Sequence, residues 1–249
     1  MKAMVLAAGL GTRLRPLTDD RPKALVEVAG RTLLEIALTR LRTFGVHEVI
    51  VNVHHFAGMI ASYLATKQNF GMRIEISRED MLLDTGGGLK QAAWFFLEDG
   101  SDRDQPFLLH NVDVVSTTEL GRMMLFHQQN RALATLAVQQ RNSSRYLLFD
   151  RRDELCGRRF EREQRSELAR PAEPLQALSF CGIHMISPRL LEMMTENGAF
   201  SIIETYLRLA AGREKILAFR ADEYYWRDLG TNESLMHAEQ DIRKGLLQP

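Results

Sequence analysis

Cysteine, net charge and long apolar runs are what this sequence has least of. Two cysteines occur in 249 residues, Cys156 and Cys181. They are too few for a disulfide framework and lack the spacing of a zinc motif, so both are expected to be free thiols in a reducing cytoplasm. No apolar run approaches the roughly 18 residues that suggest a bilayer-spanning helix. The N-terminus also has no basic segment leading into a long apolar one, so neither a membrane partner nor a cleaved leader is expected. Lysine plus arginine (32) equals aspartate plus glutamate (32). Without a basic excess, nucleic acid is not an expected partner either. There is no internal repeat and no linker long enough to separate independent domains. What remains is one domain over 1–249, 45% hydrophobic, with the length for a substantial core.

The stretch that organises the chain is its first thirty residues. Ala3-Met4-Val5-Leu6-Ala7 is short, apolar and bounded by glycine, which predicts a buried strand of a parallel sheet. Gly9 and Gly11 follow at once, where a chain leaving a strand needs positive φ or no side chain in the way. Such a loop exposes backbone N–H groups, and Arg13, Arg15 and Lys23 bring cations to the same end of the sheet. The combination suits a polyphosphate.

Further along, Leu25–Val28 reads as a short extended return. Leu33, Leu34, Ile36, Ala37, Leu38 and Leu41 recur at helical spacing up to Phe44-Gly45. Val49–Val53 is a second strand, Ala57–Thr66 a helix and Met72–Ser77 a third strand. This βαβαβ start implies, through the right-handed crossover rule, a Rossmann-like, doubly wound and mostly parallel α/β sheet. Ligands of such sheets bind at the carboxyl ends of the strands. Next come the glycines of Asp84–Gly88 with an apolar helix to Phe96, the strand Phe107–Asp113, a helix over Leu120–Gln129 and a strand over Ala132–Gln139. From Asp150 to Glu173 arginine and glutamate alternate with few apolar anchors, which predicts a solvated hairpin or mobile loop rather than a binding arm. The strand Leu178–Ile186 precedes a helix opened by Ser187-Pro188. A helix over Ile202–Ala211, a strand over Ile216–Ala221 and a helix over Asn232–Lys244 close the chain, with Asn232 as the expected N-cap. The seven histidines, His54, His55, His110 and His184 among them, are expected to be structural.

Two common phosphate motifs fail here. Leu14 stands where a dinucleotide fingerprint has its third glycine, and Glu35, about twenty residues on, lies within a helical pattern. No Gly-Lys-Ser/Thr completes a P-loop. The longer pattern Leu6-Ala7-Ala8-Gly9-Leu10-Gly11-Thr12-Arg13-Leu14-Arg15-Pro16-Leu17-Thr18, followed by Arg21-Pro22-Lys23-Ala24-Leu25, closely resembles the signature of the sugar-1-phosphate nucleotidyltransferases. The resemblance continues in Asp84-Thr85-Gly86-Gly87-Gly88, Asn111-Val112-Asp113 and Trp226-Arg227-Asp228-Leu229-Gly230-Thr231, and so covers nearly the whole chain. Val112 departs from it, at a middle position that is usually small.

The resemblance implies an enzyme of EC 2.7.7 type that turns a nucleoside triphosphate and a sugar 1-phosphate into a nucleotide-sugar and pyrophosphate. The nucleotide-binding half would span about 1–115 and the sugar-phosphate half about 116–249, without a C-terminal β-helix. Ala8, Gly9, Gly11, Thr12, Arg13 and Lys23 would hold the triphosphate, and Gly86, Gly87 and Gly88 would face the base. Arg13 would stabilise the leaving pyrophosphate, and Lys23 would bridge the two reacting phosphates. Asp113 and Asp228 would bind Mg²⁺. Asn111, Tyr146 and Gly182 would contact the sugar. Within the family, length and the Asp-Thr-Gly-Gly-Gly segment look most like N-acetylmuramate-1-phosphate uridylyltransferases of cytoplasmic cell-wall recycling. The mannose- or heptose-1-phosphate guanylyltransferases are nearly as close. Both a monomer and a homodimer are compatible with the sequence. A nucleotide-sugar-binding regulator with the same fold is the alternative.

Overall fold

The predicted opening strand is β1 (Lys2–Leu6), in a computed structural model that describes residues 1–98 and 105–247. The loop after it leads through the short ribbon β2 (Glu27–Val28) and β3 (Arg31–Thr32) into helix α1 (Leu33–Thr43). Strand β4 (Glu48–Val53), helix α2 (Ala57–Thr66) and strand β5 (Arg73–Arg78) complete the βαβαβ start. Next come helices α3 (Asp84–Gln91) and α4 (Ala93–Leu97), strands β6 (Phe107–Asn111) and β7 (Val114–Ser116), and helix α5 (Leu120–Asn130). The second half carries strands β8 (Ala134–Gln139), β9 (Arg145–Phe149), β10 (Leu155–Phe160), β11 (Arg165–Leu168) and β12 (Gln176–Ile186). Helices α6 (Arg189–Glu192) and α7 (Ile202–Ala211), strands β13 (Ile216–Arg220) and β14 (Trp226–Asp228), and helix α8 (Asn232–Arg243) follow.

The central sheet runs β5-β4-β1-β6-β12-β9-β10-β11, with β8 and β13 joined through β12. β5, β4, β1 and β6 are mutually parallel. β12 turns antiparallel to β6, β8 and β9, so the sheet is mixed; the first half of the chain builds the four-stranded parallel part, and β13 adds a second parallel pair with β8. After β5 the chain recrosses β1 and lays down β6 on its other side. The crevice between the carboxyl ends of β1 and β6 is therefore the topological switch point, where open α/β sheets take their ligands.

Apolar layers cover both faces, which is why the central strands are continuous apolar runs rather than alternating ones. Ala3 and Val5 of β1 join the layer of α1 and α8, while Met4 joins that of α3, α4 and α7. Local chemistry starts the helices: Thr32 caps α1 by accepting from Glu35 N at 3.0 Å. At α8 the cap is Thr231 rather than Asn232. Thr231 has the extended backbone an N-cap needs and exchanges hydrogen bonds with Ser234 in a capping box. Asn232 is the first helical residue, and its Nδ2 donates to Arg15 O at 3.2 Å, tying the last helix to the first loop.

The Arg/Glu-rich segment is a hairpin, β10 paired with β11. Its charges pair with one another, Arg158 with Glu167 at 2.6 Å and Arg170 with Asp150 at 2.7 Å. Three histidines are core residues. His127 bonds Thr135 and Ser187, His184 bonds Tyr206, and His110 bonds Asn111 O. Burial pulls His110 and His127 down to about 4 and His184 to about 3. Unfolded, each would titrate near 6.5 and take up a proton that the folded chain refuses. Their contribution to stability is thus intact above that pH and is lost as pH falls toward 4, each at up to about 1.4 kcal/mol per pH unit. Urea unfolding at pH 7, 6 and 5 should give a falling ΔG, and a flat profile would contradict the buried, neutral assignment.

Candidate active site

Asn52, at the end of β4, frames the crevice. Its Oδ1 accepts from Ala7 N at 2.7 Å, and its Nδ2 donates to Glu79 Oε1 at 2.7 Å. Glu79 Oε2 in turn accepts from Leu83 N at 3.0 Å. Asn52 and Glu79 are each 2% exposed. This buried chain ties the loop after β1 to the segment that enters α3. Between them opens a cleft of about 440 Å³, lined by Ala7, Ala8 and Gly9 on the loop, by Asn52, Glu79, Leu82, Asp84 and Thr85 on one wall, and by Lys23, Asn111, Val112 and Asp113 on the other.

The expected loop residues divide into distinct roles. Gly11 has φ 65°, and a Cβ there would stand 2.9 Å from the Lys23 Cβ, so glycine is what lets Lys23 reach the cleft. Gly9 meets no neighbour and lies open to the cleft. Thr12 and Arg13 begin a single 3₁₀ turn whose last residue, Leu14, is fully buried. The position that fails the dinucleotide fingerprint is thus a core position. Val112 is also buried, and its N–H donates to Leu6 O at 3.1 Å, joining the ends of β1 and β6.

The two expected metal carboxylates meet through an antiparallel ribbon. β14 pairs with β7 so that Asp228 faces Val114, and Leu229 N donates to Asp113 O at 2.7 Å. Each carboxylate has a cation. The Lys23 ammonium is ion-paired with Asp113, and Arg13 Nη2 lies 3.9 Å from Asp228 Oδ1. Gly230 N also donates to Asp228 Oδ1, at 2.8 Å. Burial, and then the charge of Asp113, raise the Asp228 pKa above the ordinary carboxylate value. Among the described residues no three His, Cys, Asp or Glu side chains form a metal cluster. Two facing carboxylates of hard oxygen donors fit Mg²⁺, which keeps waters and takes phosphate oxygens rather than filling an all-protein cage.

The remaining expected residues are spread more widely. Asn111 lies against Gly182, which has φ 72° within β12, and a Cβ at Gly182 would sit 2.9 Å from Asn111 Nδ2. Tyr146 is on β9, where its hydroxyl accepts from Ser143 N at 3.0 Å, and it does not line the cleft. Gly86, Gly87 and Gly88 form the first turns of α3 rather than an open loop. A Cβ would fall 2.3 Å from the Phe200 ring at Gly86, 2.4 Å from Gly198 O at Gly87 and 2.6 Å from Glu79 Oε1 at Gly88. Their smallness admits protein neighbours, and the cleft surface of that segment belongs to Asp84 and Thr85. Sequence reading missed Asn52 and Glu79. The available signal was a polar residue, Asn52, inside an otherwise apolar strand.

Comparison with known proteins matches this architecture. The nucleotidyl transferase family profile matches residues 2–245. The chain belongs to the nucleotidyl transferase family. It is 34% identical over 245 residues to the N-acetylmuramate alpha-1-phosphate uridylyltransferase of Caulobacter vibrioides, covering 95% of each chain. It is 28% identical over 246 residues to the mannose-1-phosphate guanylyltransferase of Mycobacterium tuberculosis, covering 98% of this chain and 65% of that longer one. In fold it is similar to HddC from Yersinia pseudotuberculosis, crystallised with GMP-PN, at a TM-score of 0.73 and 19% identity over 97% of this chain and 99% of that one. With family membership goes the activity class, transfer of a nucleotidyl group to a sugar 1-phosphate. No helix among the described residues is long and apolar enough to cross a membrane.

The helical glycines of this nucleotidyl transferase can be tested directly. Gly87→Ala forces a methyl group onto the Gly198 carbonyl and should cost about 1–3 kcal/mol of stability, read from urea denaturation without ligand. Unchanged stability would mean that the segment is glycine-rich for the ligand alone.

Proposed function

We propose that the protein transfers a uridylyl group from UTP to a sugar 1-phosphate of the N-acetylmuramate type, in cytoplasmic recycling of cell-wall sugars. The observation that carries this reading is the match to the Caulobacter uridylyltransferase along 95% of both chains. An oxygen of the sugar phosphate attacks the α-phosphorus, the bond to the bridging oxygen of the β-phosphate breaks, and pyrophosphate leaves with the electron pair. The nucleophile is already an anion, so no general base is required.

Both substrates are anions, and catalysis here is chiefly the placement of positive charge before they meet. Arg13, exposed beside Asp228, is free to receive the β- and γ-phosphates as they leave. Lys23 neutralises Asp113 in the structure, and its ammonium would turn to the phosphates when substrates enter. Asp113 and Asp228 would hold Mg²⁺, which supplies Lewis-acid stabilisation of the charge developing on the transferred phosphoryl group. Ala8 and Gly9 let the phosphates approach the loop backbone, Asp84 and Thr85 border the base, and Asn111 with Gly182 borders the sugar.

A second reading, a mannose- or heptose-1-phosphate guanylyltransferase, draws on Glu79. A buried carboxylate accepts only, and guanine offers adjacent N1–H and N2–H donors where uracil offers one. Both Glu79 oxygens already accept a hydrogen bond, which weighs toward the uridylyl reading. A non-catalytic regulator would have no use for Arg13, Lys23, Asp113 and Asp228 gathered in one place.

Pyrophosphate release measured across UTP, GTP, CTP, ATP and dTTP with several sugar 1-phosphates should single out UTP and an N-acetylmuramate 1-phosphate-like acceptor. A GTP preference would favour the second reading, and no release with any pair would favour the regulator. Asp113→Ala should lower turnover on the order of 100-fold or more, and near-normal turnover would remove Asp113 from the site. Lys23→Ala should depress kcat more than it raises the KM for the nucleotide. A pure KM effect would count against contact with the reacting phosphates.

A further inference from the structure

Arg141 is a cation that the reaction described above leaves unused. It follows β8, and its guanidinium lies 3.6 Å from the ring of Trp226. Its Nη2 donates to Phe180 O at 2.8 Å and its guanidinium also reaches the Cys181 thiol, while Nε is buried without a partner. Among the described residues no carboxylate stands within ion-pairing distance of it. Burial draws its pKa below the ordinary arginine value. The neighbouring Cys181 thiol supplies no countercharge, since burial pushes its pKa up to about 12. A partly buried guanidinium with no ion-pair partner and a donor left unpaired keeps hydrogen-bonding capacity for an incoming anion.

Its position says which anion. Trp226 and Asp228 are two residues apart on β14 and project to the same side of that strand. The guanidinium stacked on Trp226 is therefore beside the Asp228 carboxylate, whose charge raises the Arg141 pKa. The carbonyl that Arg141 holds belongs to Phe180, two residues before the Gly182 that abuts Asn111. Arg141 is thus next to the strand, β12, on which the proposed reaction places the acceptor.

We infer that Arg141 binds the 1-phosphate of the acceptor sugar, holding the attacking oxyanion beside Asp228. The inference deepens the proposed reaction and rests on its assignment of the acceptor side. Planar, bidentate recognition of a phosphate is what distinguishes arginine from lysine at such a position.

The test compares Arg141→Met and Arg141→Lys with the wild-type chain. With UTP saturating, Arg141→Met should raise the KM for the sugar 1-phosphate by about 10- to 100-fold, the loss of a charge-assisted contact. Arg141→Lys should fall between the two, and the UTP-induced rise in Tm should be retained. An acceptor KM within about twofold of wild type would overturn the inference. So would an equal loss of UTP binding, or a lower Tm without ligand together with no acceptor-specific change, since either marks Arg141 as a structural support. A defect seen with N-acetylmuramate 1-phosphate and absent with N-acetylglucosamine 1-phosphate would overturn it too, because Arg141 would then be reading the sugar's carboxylate.

A second measurement does not depend on turnover. Titrating either sugar phosphate in the presence of α,β-methylene UTP should change the fluorescence of Trp226 in the wild-type chain and not in Arg141→Met. No change in the wild type would overturn the inference. A wild type that binds in this way yet releases no pyrophosphate would instead sink the proposed reaction and leave the Arg141 contact standing.

Discussion

The structure turns on the repulsion between two carboxylates. Asp113 and Asp228 arrive from positions 115 residues apart and are fixed side by side by the β7–β14 ribbon and the Leu229–Asp113 backbone bond. Burial removes much of the water that would screen them, and the raised pKa of Asp228 reports the cost. The surrounding design makes that pairing tolerable. Lys23 neutralises one carboxylate and Arg13 flanks the other, and a bound divalent cation between them would turn the repulsion into a metal site. The same charges make the centre useful for phosphoryl chemistry, in which two anions must be brought together.

Lys23 can take its place because of a backbone requirement elsewhere. Gly11 adopts a left-handed conformation and leaves no Cβ in the way of the lysine stem. The loop is in turn moored by Asn52 to Glu79, and Glu79 to the entrance of α3. The Asn52 and Glu79 side chains of this network are buried and hydrogen-bonded. They can therefore fix the cleft without the penalty that an unpaired polar group would carry. The glycines of α3 serve the same frame, since Gly88 admits Glu79 and Asn52 while Gly86 and Gly87 admit the segment before α7.

The two parts of the sheet divide the labour. Parallel β1, β4, β5 and β6 create the switch point and hence the cleft to which the proposed reaction assigns the nucleotide. Antiparallel β12 crosses from that part to the β9–β10–β11 part, and its left-handed Gly182 lies against Asn111, where the proposed reaction would place the acceptor. Arg141 and Trp226 lie along this seam, where the charge of one substrate would meet that of the other.

Several elements were legible in the residues alone, for physical reasons. The apolar runs of β1, β4 and β6 are buried on both faces, so they could be recognised without knowing their partners. The βαβαβ rhythm and crossover handedness then placed the loop of Gly9 and Gly11 at a ligand-binding sheet end. The long motif and the short patterns around Asp113 and Asp228 identified the chemical class because each pattern is local in sequence. What only the tertiary structure decided were relations between distant segments. Glu79 reads as one acid among many until Asn52 and Leu83 close around it. The run Gly86–Gly88 reads as a base-facing segment until Phe200 and Gly198 are seen packed against it. Thr231 rather than Asn232 caps the last helix because the extended backbone falls at Thr231, while Asn232, already helical, reaches Arg15. Arg141 becomes a candidate ligand only when folding sets it on Trp226 with its Nε buried and unpaired. Local sequence carries propensity and pattern, whereas the countercharge and packing partner of each group are supplied by chain that is remote in sequence and adjacent in space.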